Sequence, residues 1–392
     1  MISFNEAFRI TMSRARKLET ERVGLESVLG AILAEDVRSD LDLPPFPRSL
    51  RDGYACRRAD LSNELSVHET IQAGQIPTKS IGENECSKIM TGAVVPEGAD
   101  TVVMVEFTET PTERTMKFVG TDTDRNIADR GEDVKAGEIV LRAGERILPQ
   151  HIAVLATVGC VQPLVSSRPR VGIIETGDEL VLPKEKPNPS QIRTTNGLQL
   201  SAQVTWMGAM PAYYGIARDT EEDIDHHLRK ALEENEVVLV SGGVSMGDLD
   251  LVPDVMKKNG LDILFDRVAV KPGKPTTFAV RDDKYCFGLP GNPVSTFVQF
   301  ELLVKPFLFL LQGHDFQPPC IKLPLAESYS QKRSERDCWI PVMVDENGEI
   351  QICGYHGSGH IHALRGSDGI ICIPSGVDSV EKGTKMEIRM ID

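Results

Sequence analysis

The sequence contains no CxxC pair, no HExxH run, no GxxxxGK(S/T) loop and no GxGxxG opening a helix. These absences weigh against a zinc ribbon, a zinc-protease centre, ATP hydrolysis on a Walker loop and nicotinamide-dependent redox chemistry. Long apolar runs are missing too: residues 307–311 (FLFLL) are among the longest, far short of the roughly 18 that span a bilayer. The first residues, MISFNEAF, show no basic stretch leading into an apolar one, so no secretory signal and a cytoplasmic location are expected. Positive charge is in deficit, with 43 Lys and Arg against 58 Asp and Glu for a formal net charge of -15. A chain this acidic repels nucleic acid and anionic membranes except at a local basic patch, so neither is an expected partner.

What is present is ordinary for a globular protein: 41% apolar and 26% charged residues over 392 positions. That composition excludes disorder, and at about 150 residues per domain the length predicts two to four domains. Eight cysteines, at 56, 86, 160, 286, 320, 338, 353 and 372, are scattered through mostly apolar, strand-like contexts. Reduced, buried thiols are expected rather than a disulfide scaffold. His226 and His227 fall in a polar helical stretch and read as surface. His356, His360 and His362 have metal-like spacing, but no cysteine or carboxylate motif joins them, which argues against zinc.

Ser3 and Glu6 form a capping box ahead of Phe4, Ala7, Phe8 and Thr11 at helical spacing, which predicts an opening helix of about four turns. Prolines in residues 42–46 break the chain, and short strands and turns then run to about residue 137 as a β-rich module. Residues 149–159 read as a helix, with Pro149 at its start and Gly159 at its end. From Arg170 apolar runs at 171–174, 212–216 and 237–240 alternate with helical segments at 196–207, 220–235 and 250–259. Strands at 263–270 and 285–289 and an apolar helix at 294–311 complete the pattern. It predicts a doubly wound, largely parallel α/β sheet in a multidomain α/β chain. Residues 317–392 alternate in short strands and read as a small β-barrel or sandwich.

Ligands of open α/β sheets bind where loops leave the carboxyl ends of strands. Three such loops stand out: Thr176, Gly177, Asp178, Glu179 and Leu180; residues 241–248, with Ser241, Gly242, Gly243 and Ser245; and Pro290, Gly291, Asn292 and Pro293. Their glycines let backbone N–H groups converge on an anion, and helix N-termini add partial positive charge. The carboxylates of Glu179, Asp248 and Asp250 have the chemistry to hold Mg²⁺ between phosphate oxygens. A fourth loop, residues 271–275 (KPGKP), sets Lys271 and Lys274 on one stiff turn, which suits a compact, doubly charged oxyanion. All four are expected along one edge of one sheet. In the β-rich module Asp52, Thr91, Arg130 and Asp133 sit at glycine-kinked strand ends, either recognising a polar ligand or making ordinary turns and salt bridges.

In this order the motifs resemble the molybdopterin molybdenumtransferase family, which includes bacterial MoeA and the E domains of the plant protein and of gephyrin. The resemblance is carried by residues 44–55 (PPFPRSLRDGYA), 88–100 (KIMTGAVVPEGAD), 126–134 (NIADRGEDV), 176–180 (TGDEL) and 195–197 (TNG). Residues 218–219 (RD), 241–250 (SGGVSMGDLD), 270–275 (VKPGKP) and 288–295 (GLPGNPVS) continue it. The form of residues 44–55 is closer to eukaryotic members. The resemblance implies a dimerising region over 1–42 and 138–167, a β-rich module over 43–137, a molybdopterin-binding α/β domain over 168–313 and a carboxyl-terminal β-barrel over 314–392. It implies transfer of molybdenum from molybdate into adenylylated molybdopterin with release of AMP, aided by Mg²⁺ on Glu179, Asp248 and Asp250. The implied catalytic residues are Asp52, Glu179, Asp219, Asp250, Lys271 and Lys274. The implied substrate contacts are Thr91, Arg130, Asp133, Thr176, Gly177, Asp178, Ser241, Gly242, Gly243, Ser245, Pro290, Gly291, Asn292, Pro293 and Ser358. It further implies a homodimer, whose cleft sets Asp52, Thr91, Arg130 and Asp133 of one subunit opposite Glu179, Asp248, Asp250 and Lys271 of the other, and a molybdopterin adenylyltransferase that supplies the substrate.

Two segments depart from the family pattern. An Arg-x-acid-aromatic-x-Arg run is here Arg333, Ser334, Glu335, Arg336, Asp337 and Cys338, and a Gly-x-Gln-x-Ser run has His356 for its glutamine, between Gly354 and Ser358. Both belong to the part of the family that helps hold molybdate, so a weakened oxyanion site is expected. The alternative reading is a catalytically weakened or inactive scaffold of the same fold that binds a partner protein.

Overall fold

Ser3 caps the opening helix α1 (Phe4–Ser13), accepting a hydrogen bond from the Glu6 N–H at 3.2 Å. With 10 residues, α1 is under three turns, shorter than expected, because the apolar spacing lapses into the basic run at 14–17. Phe4 meets Trp339 edge-on with ring centroids 5.5 Å apart. The computed structural model describes residues 1–244, 251–331, 334–354 and 357–391, which divide into two units. Met1–Ala34, Ala143–Leu148 and Leu164–Asp392 form one; Glu35–Arg142 and Pro149–Pro163 form the other.

The second unit is the β-rich module. Its six-stranded sheet runs Thr101–Met104, Gly53–Cys56, Glu85–Ile89, Glu64–Ile71, Thr115–Phe118, Thr108–Thr112. Ala55, Leu65, Ile89, Val102 and Val103 are fully buried within it. The short strand Arg48–Ser49 pairs with Ile127–Ala128 beside that sheet, and helix α2 (Pro149–Thr157) belongs to the same unit.

The first unit holds the α/β sheet: β1 (Arg170–Thr176), β2 (Met210–Ala217), β3 (Val237–Ser241), β4 (Asp262–Phe265), β5 (Thr277–Arg281) and β6 (Lys284–Leu289), in the order β2–β1–β3–β6–β5–β4. β2, β1, β3 and β6 are parallel, and β5 and β4 add an antiparallel edge. The helices are α3 (Asn196–Trp206), α4 (Glu221–Glu234), α5 (Val252–Lys258), α6 (Pro293–Gln299) and α7 (Lys305–Leu311). Alternate strand residues feed two cores. Val237, Leu239, Phe287 and Leu289 pack with Leu200 and Val204 of α3 and with α6 and α7, whereas Val238, Val240 and Cys286 pack with Leu228 of α4 and Met256 of α5. Covering both faces is what makes the central strands read as unbroken apolar runs.

Residues 293–311 form one helix in which a π turn at Phe300–Val304 joins α6 to α7. By length and mean hydropathy (1.6) it resembles a membrane span, yet 89% of it is buried inside the protein, so it is the core helix. Phe307 of α7 packs on Phe278 and Tyr285 at 5.6 and 4.8 Å between centroids.

Two expectations are corrected here. The strand expected over 263–270 stops at Phe265 in β4, and Val270–Lys271 is a separate strand at the edge of the carboxyl-terminal sheet. That sheet runs Val270–Lys271, Asp337–Val344, Gly369–Ile373, Lys385–Met390, Cys320–Pro324, with Ile350–Ile352 paired to Asp337–Val344. The KPGKP loop therefore leaves the carboxyl-terminal sheet and not the edge of the α/β sheet, because Val270 and Lys271 find their ladder partners in Asp337 and Cys338.

Candidate active site

β1, β3 and β6 end level with one another, with Glu175 opposite Ser241 and Ser241 opposite Leu289. The loops that follow bound a cavity of about 610 Å³. Thr176, Gly177 and Glu179 line it from the first loop, Ser241, Gly242 and Gly243 from the second, and Pro290, Gly291, Asn292 and Pro293 from the third. Asp219, which follows β2, lines it too, and so does Pro275 at the end of the KPGKP loop.

The loops are tied to each other. The Asn196 side-chain amide, at the start of α3, donates to Ser241 Oγ at 2.9 Å and to the Gly291 carbonyl at 2.7 Å. Ser241 Oγ in turn donates to the Pro290 carbonyl at 3.2 Å, and Thr296 Oγ1 donates to the same carbonyl. Asn292 Nδ2 donates to Ser358 Oγ at 2.9 Å, which brings Ser358 onto the third loop. Asp178 and Asp219 exchange bonds, each backbone N–H donating to the other's carboxylate at 3.2 and 3.3 Å.

Two features give the cavity the character of an anion cradle. Gly242 sits at φ +100°, and a Cβ there would lie 2.5 Å from the Thr176 carbonyl oxygen, so only glycine keeps this wall thin. Thr176 Oγ1 is buried and, among the described residues, has no hydrogen-bond partner, a hydroxyl in want of a ligand or water.

Asn196, Thr195 and Glu175 also line the cavity, and the expected set did not contain them. Asn196 stood within the TNG motif, whereas Glu175 fell between the apolar run 171–174 and the loop that opens at Thr176. Glu175 is 1% exposed and accepts from Thr194 Oγ1 and from the Tyr213 hydroxyl at 2.8 Å. Burial, with Glu175 beside it, pushes the Tyr213 phenol up. Ser245, Asp248 and Asp250, together with Arg333 and His356, lie outside the described residues. Among the described residues no three His, Cys, Asp or Glu side chains group as a metal site, His360 and His362 included.

In the β-rich module Asp52 accepts from the Thr91 backbone N–H at 2.7 Å and from its hydroxyl at 2.8 Å. The backbone bond, then the hydroxyl bond, holds the Asp52 carboxyl below its ordinary range. Arg130 Nε pairs with Asp42 at 2.7 Å, and the Asp133 N–H donates to the Leu43 carbonyl at 3.0 Å.

The KPGKP loop exposes Lys274 and half-buries Lys271, which lies opposite Cys338 in the ladder. Cys338 is fully buried with Ile340, Val342, Ile371 and Ile388 in the carboxyl-terminal core, because alternation along Asp337–Val344 turns it inward. Burial raises its thiol pKa, and Lys271 pulls the other way. The position thus does not present its side chain as an oxyanion ligand would, and the nearby guanidinium of Arg336 donates to the Val270 carbonyl at 3.1 Å.

Three family matches cover the chain in order: "MoeA N-terminal region (domain I and II)" over residues 2–159, "Probable molybdopterin binding domain" over 172–309 and "MoeA C-terminal region (domain IV)" over 322–390. The molybdopterin molybdenumtransferase of Staphylococcus epidermidis is 36% identical over all of this chain and 96% of its own length. That of Bacillus subtilis is 34% identical over all of this chain and 94% of its own. Among solved structures, the molybdopterin biosynthesis MoeA protein of Pyrococcus horikoshii superposes with a TM-score of 0.86 at 30% identity, covering both chains completely.

Two outcomes are expected from this geometry. Thr91→Val leaves the backbone bond in place but removes the hydroxyl, so the Asp52 titration midpoint, followed by NMR, moves up towards the ordinary carboxylate value of about 3.9. Because the folded value is depressed, the stabilisation from these bonds is complete above the unfolded pKa and is lost as pH falls through the folded one. Cys338→Arg, which would restore a guanidinium by sequence, is expected to destabilise the protein by several kcal/mol in urea titrations, since it buries an unpaired charge.

Proposed function

The chain belongs to the MoeA family of molybdopterin molybdenumtransferases, and on that premise we propose that its α/β cavity receives adenylylated molybdopterin and passes molybdenum to it from molybdate. It is a transferase of molybdenum cofactor biosynthesis that inserts molybdenum into molybdopterin. The observation that carries the finer reading is the cavity itself: three glycine-bearing loops at level strand ends, cross-tied by Asn196, enclose space for a phosphate-bearing ligand.

In this reading the backbone at Ser241–Gly243 and Pro290–Pro293 cradles the phosphate or adenylate, and the Thr176 hydroxyl, without a partner among the described residues, meets one of its oxygens. Lys271 and Lys274 attract molybdate as point charges and hold it beside the cavity wall formed by Pro275. Glu179, on the cavity wall, is an oxygen donor of the kind Mg²⁺ takes, and it would hold the ion with Asp248 and Asp250 of the same motif set. When bound, the ion offsets the negative charge of the phosphoanhydride. Asp219 fixes the TGDEL loop through its exchange with Asp178. The protein's contribution is positioning plus electrostatics, with no covalent step required of its side chains.

We infer a homodimer in which the Asp52–Thr91 pair, Arg130 and Asp133 of one subunit complete the cavity of the other, with the chain divided as 1–42 plus 138–167, 43–137, 168–313 and 314–392. A cytoplasmic location and an adenylyltransferase that furnishes the substrate go with this reading. The transferase names of full-length relatives support the enzyme, and the noncatalytic scaffold gains no observation in its favour.

The direct test is to incubate the protein with adenylylated molybdopterin, molybdate and Mg²⁺ and to measure AMP. Release is expected to require all three, and Glu179→Gln is expected to slow it by well over tenfold, more than about 1.4 kcal/mol of barrier. A variant that keeps its rate would remove Glu179 from the site. Light scattering at micromolar concentration is expected to give twice the chain mass, with an interface above about 2,000 Å²; a stable monomer would dismiss the shared site.

A further inference from the structure

We propose that Gln299 is a positioning residue for the oxyanion loop, holding the backbone between Lys271 and Lys274 so that both ammonium groups address one ligand; this rests on the reading of those lysines as molybdate ligands. Gln299 is the last residue of α6 and is 0% exposed. Its Nε2 donates to the Pro272 carbonyl at 3.1 Å. The same side chain lies flat on Gly273: a Cβ there would be 2.4 Å from Gln299 Nε2 and 2.6 Å from Cδ, and Gly273 has φ +107°. Gly273 is therefore glycine twice over, for its backbone conformation and for the amide that covers it. From the other side the buried Thr276 hydroxyl donates to the Gly273 carbonyl at 2.7 Å, and the Val268 N–H donates to the Lys274 carbonyl at 3.0 Å. Among these anchors Gln299 alone comes from outside residues 268–276.

The helix that carries Gln299 starts at the cavity. Asn292 and Pro293, which line it, cap and begin α6, and Gln299 follows six residues later, about 9 Å along the axis. One rigid rod thus sets the distance between the phosphate cradle and the lysine loop.

The chemistry of the residue argues against a mere filler. Gln299 Oε1 is buried with no partner among the described residues, a cost that an apolar side chain of similar length would avoid. Methionine fills such volumes readily. An amide retained at a cost, with its N–H on the carbonyl between two lysines, is accounted for by what that N–H holds in place.

The test uses the full chain and Gln299→Met, with Lys271→Ala and Lys274→Ala beside it. AMP release is measured against molybdate and against adenylylated molybdopterin separately, and molybdate binding is measured by calorimetry. For Gln299→Met we expect KM and Kd for molybdate to rise about tenfold, the worth of one hydrogen bond, while KM for the molybdopterin substrate stays within about twofold. The melting temperature should change little, since the orphan acceptor of Gln299 is gone while the Pro272 carbonyl loses its donor. If Gln299→Met does not fold, Gln299→Asn, which keeps the amide but withdraws it by one methylene, is read in the same way. Unchanged molybdate affinity, or an equal rise in both KM values, would overturn the positioning role. If neither lysine variant weakens molybdate, the reading of the loop as the oxyanion site fails instead, and the two failures are told apart.

Discussion

The loops of the cavity are held by cross-ties centred on the Asn196 side chain. The Asn196 amide spans two loops that follow different strands, one N–H on Ser241 and the other on the Gly291 carbonyl. Neither loop has a covalent reason to stay beside the other, and glycine-rich turns are entropically free until something orders them. Asn196 is 6% exposed, so its bonds form away from competing water. Its own placement is secured by Thr194, two residues earlier, which donates to the buried Glu175 carboxylate, and by Gly197, where a Cβ would meet that carboxylate at 2.4 Å. A ligand entering the cavity finds the donors already ordered, and preorganisation of this kind is what makes electrostatic stabilisation effective.

Much of this was legible in the sequence, for identifiable reasons. Strands buried on both faces appear as apolar runs, and Ser3 with Glu6 announced the first helix. The three glycine loops were found because short polar turns between apolar runs can only lie at sheet edges. Glu175 escaped notice because a carboxylate inside an apolar strand carries no mark of its partners: Tyr213 lies 38 positions away and enters from the neighbouring strand. The KPGKP loop was assigned to the wrong sheet because the apolar runs on either side of Asp266 and Arg267 were read as one strand. What divides them is pairing with Asp337 and Cys338, some 67 residues on, which no local pattern encodes. The inward facing of Cys338 was hidden for a related reason, since it is set by the register of Asp337–Val344 and by the core beneath it.

The core helix shows the same limit in another form. Residues 294–311 read as one uniform apolar helix, and the chain does continue as one. Yet at Phe300–Val304 it widens into a π turn, with the Lys305 N–H reaching back to the Phe300 carbonyl. The widening ends two residues before Pro306, which has no N–H to continue the ladder. Gln299 is the last residue before this turn, so the stretch from the cavity end of the rod to its amide is regular α-helix.

The contact between Phe4 and Trp339 has an optical consequence. The sequence holds two tryptophans: Trp206 is 68% exposed on α3, whereas the Trp339 indole N–H is buried with no partner among the described residues. An indole in apolar surroundings emits at shorter wavelengths than one in water, so the two residues form a blue and a red component of a single emission band. Release of α1 from the carboxyl-terminal sheet would wet Trp339 and merge the two, leaving acrylamide to quench both alike. The undocking of the amino-terminal helix can thus be followed by the native fluorescence of the chain, with no label attached.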